Sequence, residues 1–114
     1  MMLYNLSVIQ MMGGDDPSFI KSLLEVFSSS IPPDLLDLNK ALEAKDFNRI
    51  SFVAHKMKST IDNLCVDSLK KVIRELETKE LNRTYSFEEI QEKIIEVNKV
   101  LTEVVEQMQL DYPN

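Results

Sequence analysis

The chain has 114 residues, of which 44% are hydrophobic and 28% are charged, a composition typical of one soluble globular domain spanning residues 1–114. The formal net charge of −6 argues against binding to nucleic acid, whose backbone is also negative. The sequence contains neither a secretory signal nor the roughly 20 consecutive apolar residues of a membrane span, so we expect a cytoplasmic protein. Its single cysteine, Cys65, excludes an internal disulfide and is expected to be a small buried apolar residue.

The predicted elements in the first third of the chain are helices separated by glycine and proline. A short first helix, beginning with Leu3, should end at the pair Gly13-Gly14, where glycine accepts a left-handed conformation. Asp16 is placed to cap a second helix, with Pro17 in its first turn. Pro32-Pro33 is predicted to break that helix, since proline lacks the amide hydrogen that a helix interior requires.

The middle of the chain continues the helical pattern. A third helix is predicted over residues 34–42, followed by a short turn and by Asp46 as the cap of a fourth helix that continues to Leu64. A fifth helix is predicted over residues 66–76 from its three-four spacing of apolar residues. Residues 78–85 are polar and are predicted to form a loop.

The last predicted helix begins with a capping box, in which Ser86 and Glu89 each satisfy a backbone amide of the first turn. Its apolar residues keep three-four spacing over about six turns, and additional apolar residues make this stripe wider than a two-stranded coiled-coil seam. The stripe consists of Phe87, Ile90, Ile94, Val97, Leu101, Val104 and Met108. The sequence therefore predicts an all-α fold: an antiparallel four-helix bundle with up-down-up-down topology and one or two short N-terminal helices.

The only histidine, His55, is predicted to lie on the outside of the fourth helix. At about 100° per residue, it falls roughly 140° from the core stripe that includes Ile50 and Ile61. The same count places polar side chains of its own helix around the imidazole: Ser51, Lys58, Ser59 and Asp62. A buried structural histidine is therefore disfavoured, while an ordinary surface histidine remains an alternative.

Phe52 lies one turn before His55 and also falls off the core stripe, at roughly 200°. A large aromatic side chain in that position either packs under the N-terminal helix or contributes to a docking surface for a partner.

The residues around His55 suit phosphoryl transfer better than hydrolysis. A hydrolase needs an orienting carboxylate and an oxyanion-stabilising site, and the sequence offers neither in recognisable form. An imidazole nitrogen can attack phosphorus directly, and a nearby ammonium such as that of Lys58 can neutralise phosphoryl oxygens. Lys58 could equally be an ordinary solvated lysine.

The stretch Ala54-His55-Lys56-Met57-Lys58-Ser59-Thr60-Ile61-Asp62-Asn63-Leu64-Cys65-Val66, followed by Leu69 and Leu76-Glu77, resembles the histidine-containing phosphotransfer (HPt) domain of bacterial multistep phosphorelays. His55 matches the phosphoacceptor of this family and Lys58 matches its phosphate-facing lysine. Met57 matches the aliphatic position and Thr60 the small hydroxyl residue. Ser59 stands where the family usually has glycine, and Cys65-Val66 stands where it often has Gly-Ala.

This resemblance implies a relay function. His55 would accept a phosphoryl group from the aspartyl phosphate of a response-regulator receiver domain and pass it to another response regulator, within a pathway that begins at a hybrid sensor histidine kinase. The chain would bind no cofactor or metal, since Mg²⁺ would be held by the receiver. It would be a monomer without kinase or hydrolase activity of its own. The expected docking residues are Ser51, Phe52, Lys56, Ser59 and Asp62.

Two other classes of function are compatible with the sequence. A helical adaptor with an idle histidine would keep all its function in a His55→Gln variant. A self-association module would use the stripe of the last helix as its interface and would lose dimerisation when a charge replaces Val97 or Leu101. An independent hydrolase ranks below both.

Overall fold

The computed structural model describes residues 3–14 and 16–112, and within these ranges all regular structure is helical. The six helices are α1 (Ser7–Gly13), α2 (Pro17–Glu43), α3 (Phe47–Asn63), α4 (Asp67–Leu76), α5 (Leu81–Thr84) and α6 (Phe87–Asp111). The all-α fold predicted from the sequence is confirmed. None of the described helices has an apolar stretch long enough to cross a bilayer.

Helices α2, α3, α4 and α6 form the bundle, and each packs against two others in the cyclic order α2, α3, α4, α6. Their directions follow from side-chain pairs. Lys56 of α3 binds Asp34, whereas Arg49, two turns earlier in α3, binds Asp37, so α3 runs antiparallel to α2. Antiparallel neighbours around the ring give the predicted up-down-up-down topology.

One polar pair lies in the contact between α2 and α6. The side-chain amides of Asn39 and Asn98 each donate to the other's oxygen, at 3.0 and 2.9 Å, and Asn98 also donates to the Ile94 carbonyl at 2.8 Å. Near the opposite end of α2, Leu24 lines the same groove as Met108. Residue numbers therefore increase along α2 in the direction in which they decrease along α6, so the two helices are antiparallel.

The core is apolar, and among the described residues no charged side chain is buried. Each bundle helix contributes the stripe expected from its three-four spacing. In α6 the buried side chains are Ile90, Ile94, Val97, Leu101, Val104 and Met108. This stripe therefore packs inside the bundle rather than on its surface.

Three predicted helix starts, at Asp16, Asp46 and Ser86, are confirmed by their capping hydrogen bonds. The carboxylate of Asp16 accepts from the amide of Ser18 at 3.0 Å, and that of Asp46 accepts from the amide of Arg49 at 3.0 Å. At the start of α6 the Ser86 hydroxyl accepts from the Glu89 amide at 3.1 Å, and the Glu89 carboxylate accepts from the Ser86 amide at 2.9 Å. These caps satisfy amides that have no partner inside their helices.

The predicted break at Pro32-Pro33 is wrong, because α2 continues through both prolines. Both rings are exposed, although each proline removes one backbone hydrogen bond and its ring crowds the carbonyl of the preceding turn. The buried stripe continues from Ile31 to Leu35 across the prolines. Packing on both sides of the pair therefore holds α2 helical despite two missing hydrogen bonds.

Two further expectations need correction. The predicted loop over residues 78–85 contains the one-turn helix α5, which forms because Leu81 is buried against the rest of the chain. The first helix begins later than expected, since Leu3 precedes α1. Residues 3–6 instead lie across one end of the bundle, where two hydrogen bonds hold them in place. The Tyr4 hydroxyl donates to Asp111 at 2.6 Å, and the Asn5 amide donates to the Leu64 carbonyl at 2.9 Å.

The turn between α3 and α4 reverses the chain through a left-handed residue. Cys65 has a φ of 53°, its amide donates to the Asp62 carbonyl at 3.2 Å, and the Val66 amide donates to the Ile61 carbonyl at 3.0 Å. These bonds form a Schellman motif, in which glycine is the usual left-handed residue. Cys65 is half-buried rather than buried, because it occupies this turn and not a core-facing position.

Candidate functional site

His55 lies on the outside of α3, as predicted, and its side chain is 66% exposed. Its Nδ1 lies 2.5 Å from a carboxylate oxygen of Glu77. The expectation that the imidazole has no orienting carboxylate is therefore wrong. The orienting group comes from the residue that follows α4, and a count along α3 alone cannot find it.

The turn at Cys65 explains why these two side chains meet. His55 lies ten residues before Cys65, and Glu77 lies twelve residues after it. At 1.5 Å per residue, α3 and α4 carry the two positions to similar distances from the turn. The Ser51 hydroxyl, one turn before His55, donates to the carbonyl of Thr78 at 3.1 Å, which fastens the end of α4 to α3.

The contact with Glu77 determines the tautomer of the imidazole. An ionised carboxylate only accepts hydrogen bonds, so Nδ1 must carry the proton that it shares with Glu77. In the neutral ring the lone pair then belongs to Nε2. The nitrogen at the far side of the ring is therefore the nucleophilic one, and the ring itself is largely in solvent.

Lys58 belongs to the same cluster. Its ammonium lies 3.3 Å from one carboxylate oxygen of Glu77 and 3.5 Å from the other. The hydrogen bond from His55, and next that from Lys58, lower the pKa of Glu77 below its ordinary value of 4.5. Glu77 is therefore an anion that holds an imidazole and an ammonium side by side.

We expect the Glu77→Gln variant to lose stability near neutral pH, by about 0.5–1 kcal/mol for a partly exposed pair. Because the pKa of Glu77 is lower in the folded chain, its contribution is complete above the unfolded value of 4.5 and is lost as pH falls through the lower folded value. Urea unfolding of both proteins from pH 7 to pH 3 measures this difference, which should shrink below about pH 4.5.

Glu106→Gln is the matched control, since it removes the same charge from the exposed surface of α6. Its stability relative to the unsubstituted protein should show no such acid-dependent convergence. A difference between Glu77→Gln and the unsubstituted protein that stays constant across this pH range would contradict the role given to Glu77.

Phe52 is 54% exposed, so it is not covered by the N-terminal helix, and its role in docking a partner stays a prediction. The Arg49 guanidinium lies over one face of the Phe52 ring, 5.0 Å from its centroid, in a cation–π contact. Phe52 and His55 are three residues apart and lie on adjoining turns of the same helix.

The other residues predicted for this surface are divided among different contacts. Lys56 turns toward α2, where its ammonium lies 3.1 Å from Asp34. Ser59 is exposed, and its hydroxyl accepts a long 3.4 Å bond from Asn63. Asp62 is half-buried two turns beyond His55. His55 and Lys58 thus meet through Glu77, whereas Lys56 faces the neighbouring helix.

Sequence reasoning missed Glu77 as a site residue. The signal for it in the sequence is the pair Leu76-Glu77, which resembles the Leu-Glu of the family pattern. In the part of the chain that the structure describes, no three His, Cys, Asp or Glu side chains converge as metal ligands.

Comparison with protein families shows that residues 22–110 match the model described as the Hpt domain. The matched region includes α3, α4 and α5, most of α2 and all of α6 except its last residue, and hence every residue of the cluster around His55. Comparisons with curated proteins and with solved structures found no match. Because the match extends over most of the chain and includes its only histidine, this protein belongs to the Hpt domain family, the histidine phosphotransfer domains of two-component signalling.

Proposed function

We propose that the protein is a phosphorelay intermediate in which Nε2 of His55 accepts a phosphoryl group from the aspartyl phosphate of a receiver domain and passes it to another response regulator. The observation that carries this proposal is the bond between His55 Nδ1 and Glu77. It leaves the outer nitrogen of an exposed ring as the nucleophile in a member of the Hpt family.

The transfer is a direct displacement at phosphorus. The Nε2 lone pair forms the N–P bond while the bond from phosphorus to the aspartyl oxygen breaks, and the donor carboxylate leaves with that electron pair. The imidazole ring gains positive charge as this happens, because Nδ1 still carries its proton. The carboxylate of Glu77, 2.5 Å away, would offset that charge.

Lys58 would neutralise the phosphoryl group during transfer. Its ammonium is within 3.5 Å of both Glu77 oxygens, and its side chain is 35% exposed, so it can move from the carboxylate to an incoming phosphoryl oxygen. Apart from in-line positioning of the reacting atoms, electrostatic stabilisation of the phosphoryl oxygens is the main contribution that a protein makes to phosphoryl transfer. The chain would bind no metal itself, and Mg²⁺ would arrive in the receiver.

The receiver would dock over the exposed turns of α3. Phe52 supplies apolar surface one turn before His55, and Ser59 lies one turn after it. The Ser59 side chain adds bulk to the surface beside His55, where the family usually has glycine. We propose that this bulk reduces the number of receivers that can dock. Ser51, Lys56 and Asp62 would form the polar margin. The protein would act as a monomer downstream of a hybrid sensor histidine kinase.

The proposal is tested by incubating the purified protein with a panel of receiver domains that carry a radioactive aspartyl phosphate. The expected result is transfer of label to this chain from at least one receiver, as a phosphoramidate that is labile to acid and stable to alkali. Nitrogen-15 NMR of the labelled product should place phosphorus on Nε2. Absence of label with every competent receiver would refute the proposal and favour an adaptor with an idle histidine.

A further inference from the structure

We propose that Arg49 and Asp37 are positioning residues that hold Phe52 in place for receiver docking, so that recognition by this protein depends on α2 as well as on α3. This inference rests on the proposed function, since the partner is the receiver that reacts at His55. It assigns a role to two residues that lie outside the histidine motif.

Arg49 is fixed from the neighbouring helix. Its Nε lies 3.1 Å from one oxygen of the Asp37 carboxylate, and its Nη2 lies 2.5 Å from the other. Two parallel bonds to one carboxylate set the plane of a guanidinium as well as its position. An arginine held in this way is a rigid surface element, unlike a lysine or an unpaired arginine.

The fixed guanidinium lies over the ring of Phe52, 5.0 Å from the centroid. An exposed phenylalanine without such a neighbour would change rotamer in solution and would lose that freedom on docking. The cation–π contact favours one ring position before any partner arrives. Because Phe52 is 54% exposed, the ring still presents substantial apolar surface next to His55.

The charges along this edge indicate what kind of receiver surface fits. Asp37 neutralises Arg49, and Asp34 lies 3.1 Å from Lys56. These two positive and two negative side chains balance each other within the chain. The receiver surface that covers Phe52 should therefore be an apolar patch rather than a strongly acidic one.

The test measures KM and kcat for transfer from a phosphorylated receiver identified in the labelling experiment. Arg49→Met keeps a long apolar side chain but removes the positive charge and the two N–H groups that bind Asp37. We expect KM to rise about fivefold and kcat to change less than twofold, because docking is impaired while His55 is untouched. In a Phe52→Leu background, Arg49→Met should have little further effect, since the ring that it positions is absent.

Asp37→Asn breaks the clamp while leaving Arg49 in place, and it should also raise KM. A lower KM would overturn the proposal, because it would mean that a freed guanidinium binds the receiver directly. An unchanged KM for Arg49→Met, or additive effects of Arg49→Met and Phe52→Leu, would also overturn it. Lys99→Met on α6, the helix diagonally opposite α3 in the ring, removes one positive charge and should leave both constants unchanged.

A measurement without a partner separates this proposal from the proposed function. In protein with carbon-13-labelled phenylalanine, the ring signals of Phe52 should shift and average toward free rotation in both Arg49→Met and Asp37→Asn. If they do not move in folded variants, the clamp does not position the ring, whatever the outcome of the transfer assay. If no receiver transfers its label to the unsubstituted protein, the proposed function fails instead.

Discussion

Replacing His55 with glutamine is expected to lower the rate of phosphoryl transfer to this protein by at least about 1000-fold. The amide of glutamine has no nucleophilic lone pair on nitrogen, so no N–P bond can form. The substitution should leave the fold intact, because the side chain that it replaces is 66% exposed. Transfer of radioactive label from a phosphorylated receiver measures the effect, and circular dichroism verifies the fold.

Lys58→Met is the matched control for this experiment. It keeps the nucleophile and removes the neighbouring ammonium, so transfer should continue at a rate lower by about tenfold. Equal labelling of the unsubstituted protein and His55→Gln would place the acceptor elsewhere. Full retention of partner binding and signalling by His55→Gln would support the adaptor alternative.

Replacing Val97 with aspartate is expected to unfold the protein. Val97 is fully buried in the α6 stripe, where a carboxylate would have neither a partner nor water. An uncompensated buried charge costs about 3–5 kcal/mol, a large share of the 5–15 kcal/mol by which a typical domain is stable. Thermal unfolding followed by circular dichroism should show a greatly lowered or absent transition.

Ile95→Asp is the control for the Val97 variant, since it makes a comparable change two residues earlier on the same helix. Ile95 is 59% exposed, so this variant should fold normally. The pair also tests the self-association alternative, which predicts a dimer that Val97→Asp converts to a folded monomer. Sedimentation of the unsubstituted protein and of both variants distinguishes the two outcomes.

The features predicted correctly from the sequence are those that depend on neighbours along the chain. A capping bond such as that of Asp46 joins residues three apart, and the outward position of His55 follows from counting within one helix. Both rest on the fixed geometry of 3.6 residues per turn. For the same reason, the buried stripes and the all-helical class could be derived without a structure.

The features that sequence reasoning missed depend on packing between helices. The prolines of α2 carry a strong local signal for a break, but the packing of Ile31 and Leu35 on either side outweighs it. The bond from His55 to Glu77 joins residues 22 apart. Predicting this bond requires the lengths of α3 and α4 and the geometry of the turn at Cys65. The spacing of apolar residues along one helix provides neither.

The paired amides of Asn39 and Asn98 have a consequence for protein engineering. A slide of α2 by one turn that brings Asn39 level with Ile94 and Asn98 level with Leu35 would separate the two amides, at a cost of about 0.5–1.5 kcal/mol for each lost hydrogen bond. The pair therefore fixes the height of α2, and with it the level at which Asp37 meets Arg49. Grafting α3 alone onto another bundle would transfer His55 without Glu77, and Phe52 without the Asp37–Arg49 pair proposed to position it, whereas a graft of the whole bundle that keeps this amide pair would transfer both arrangements.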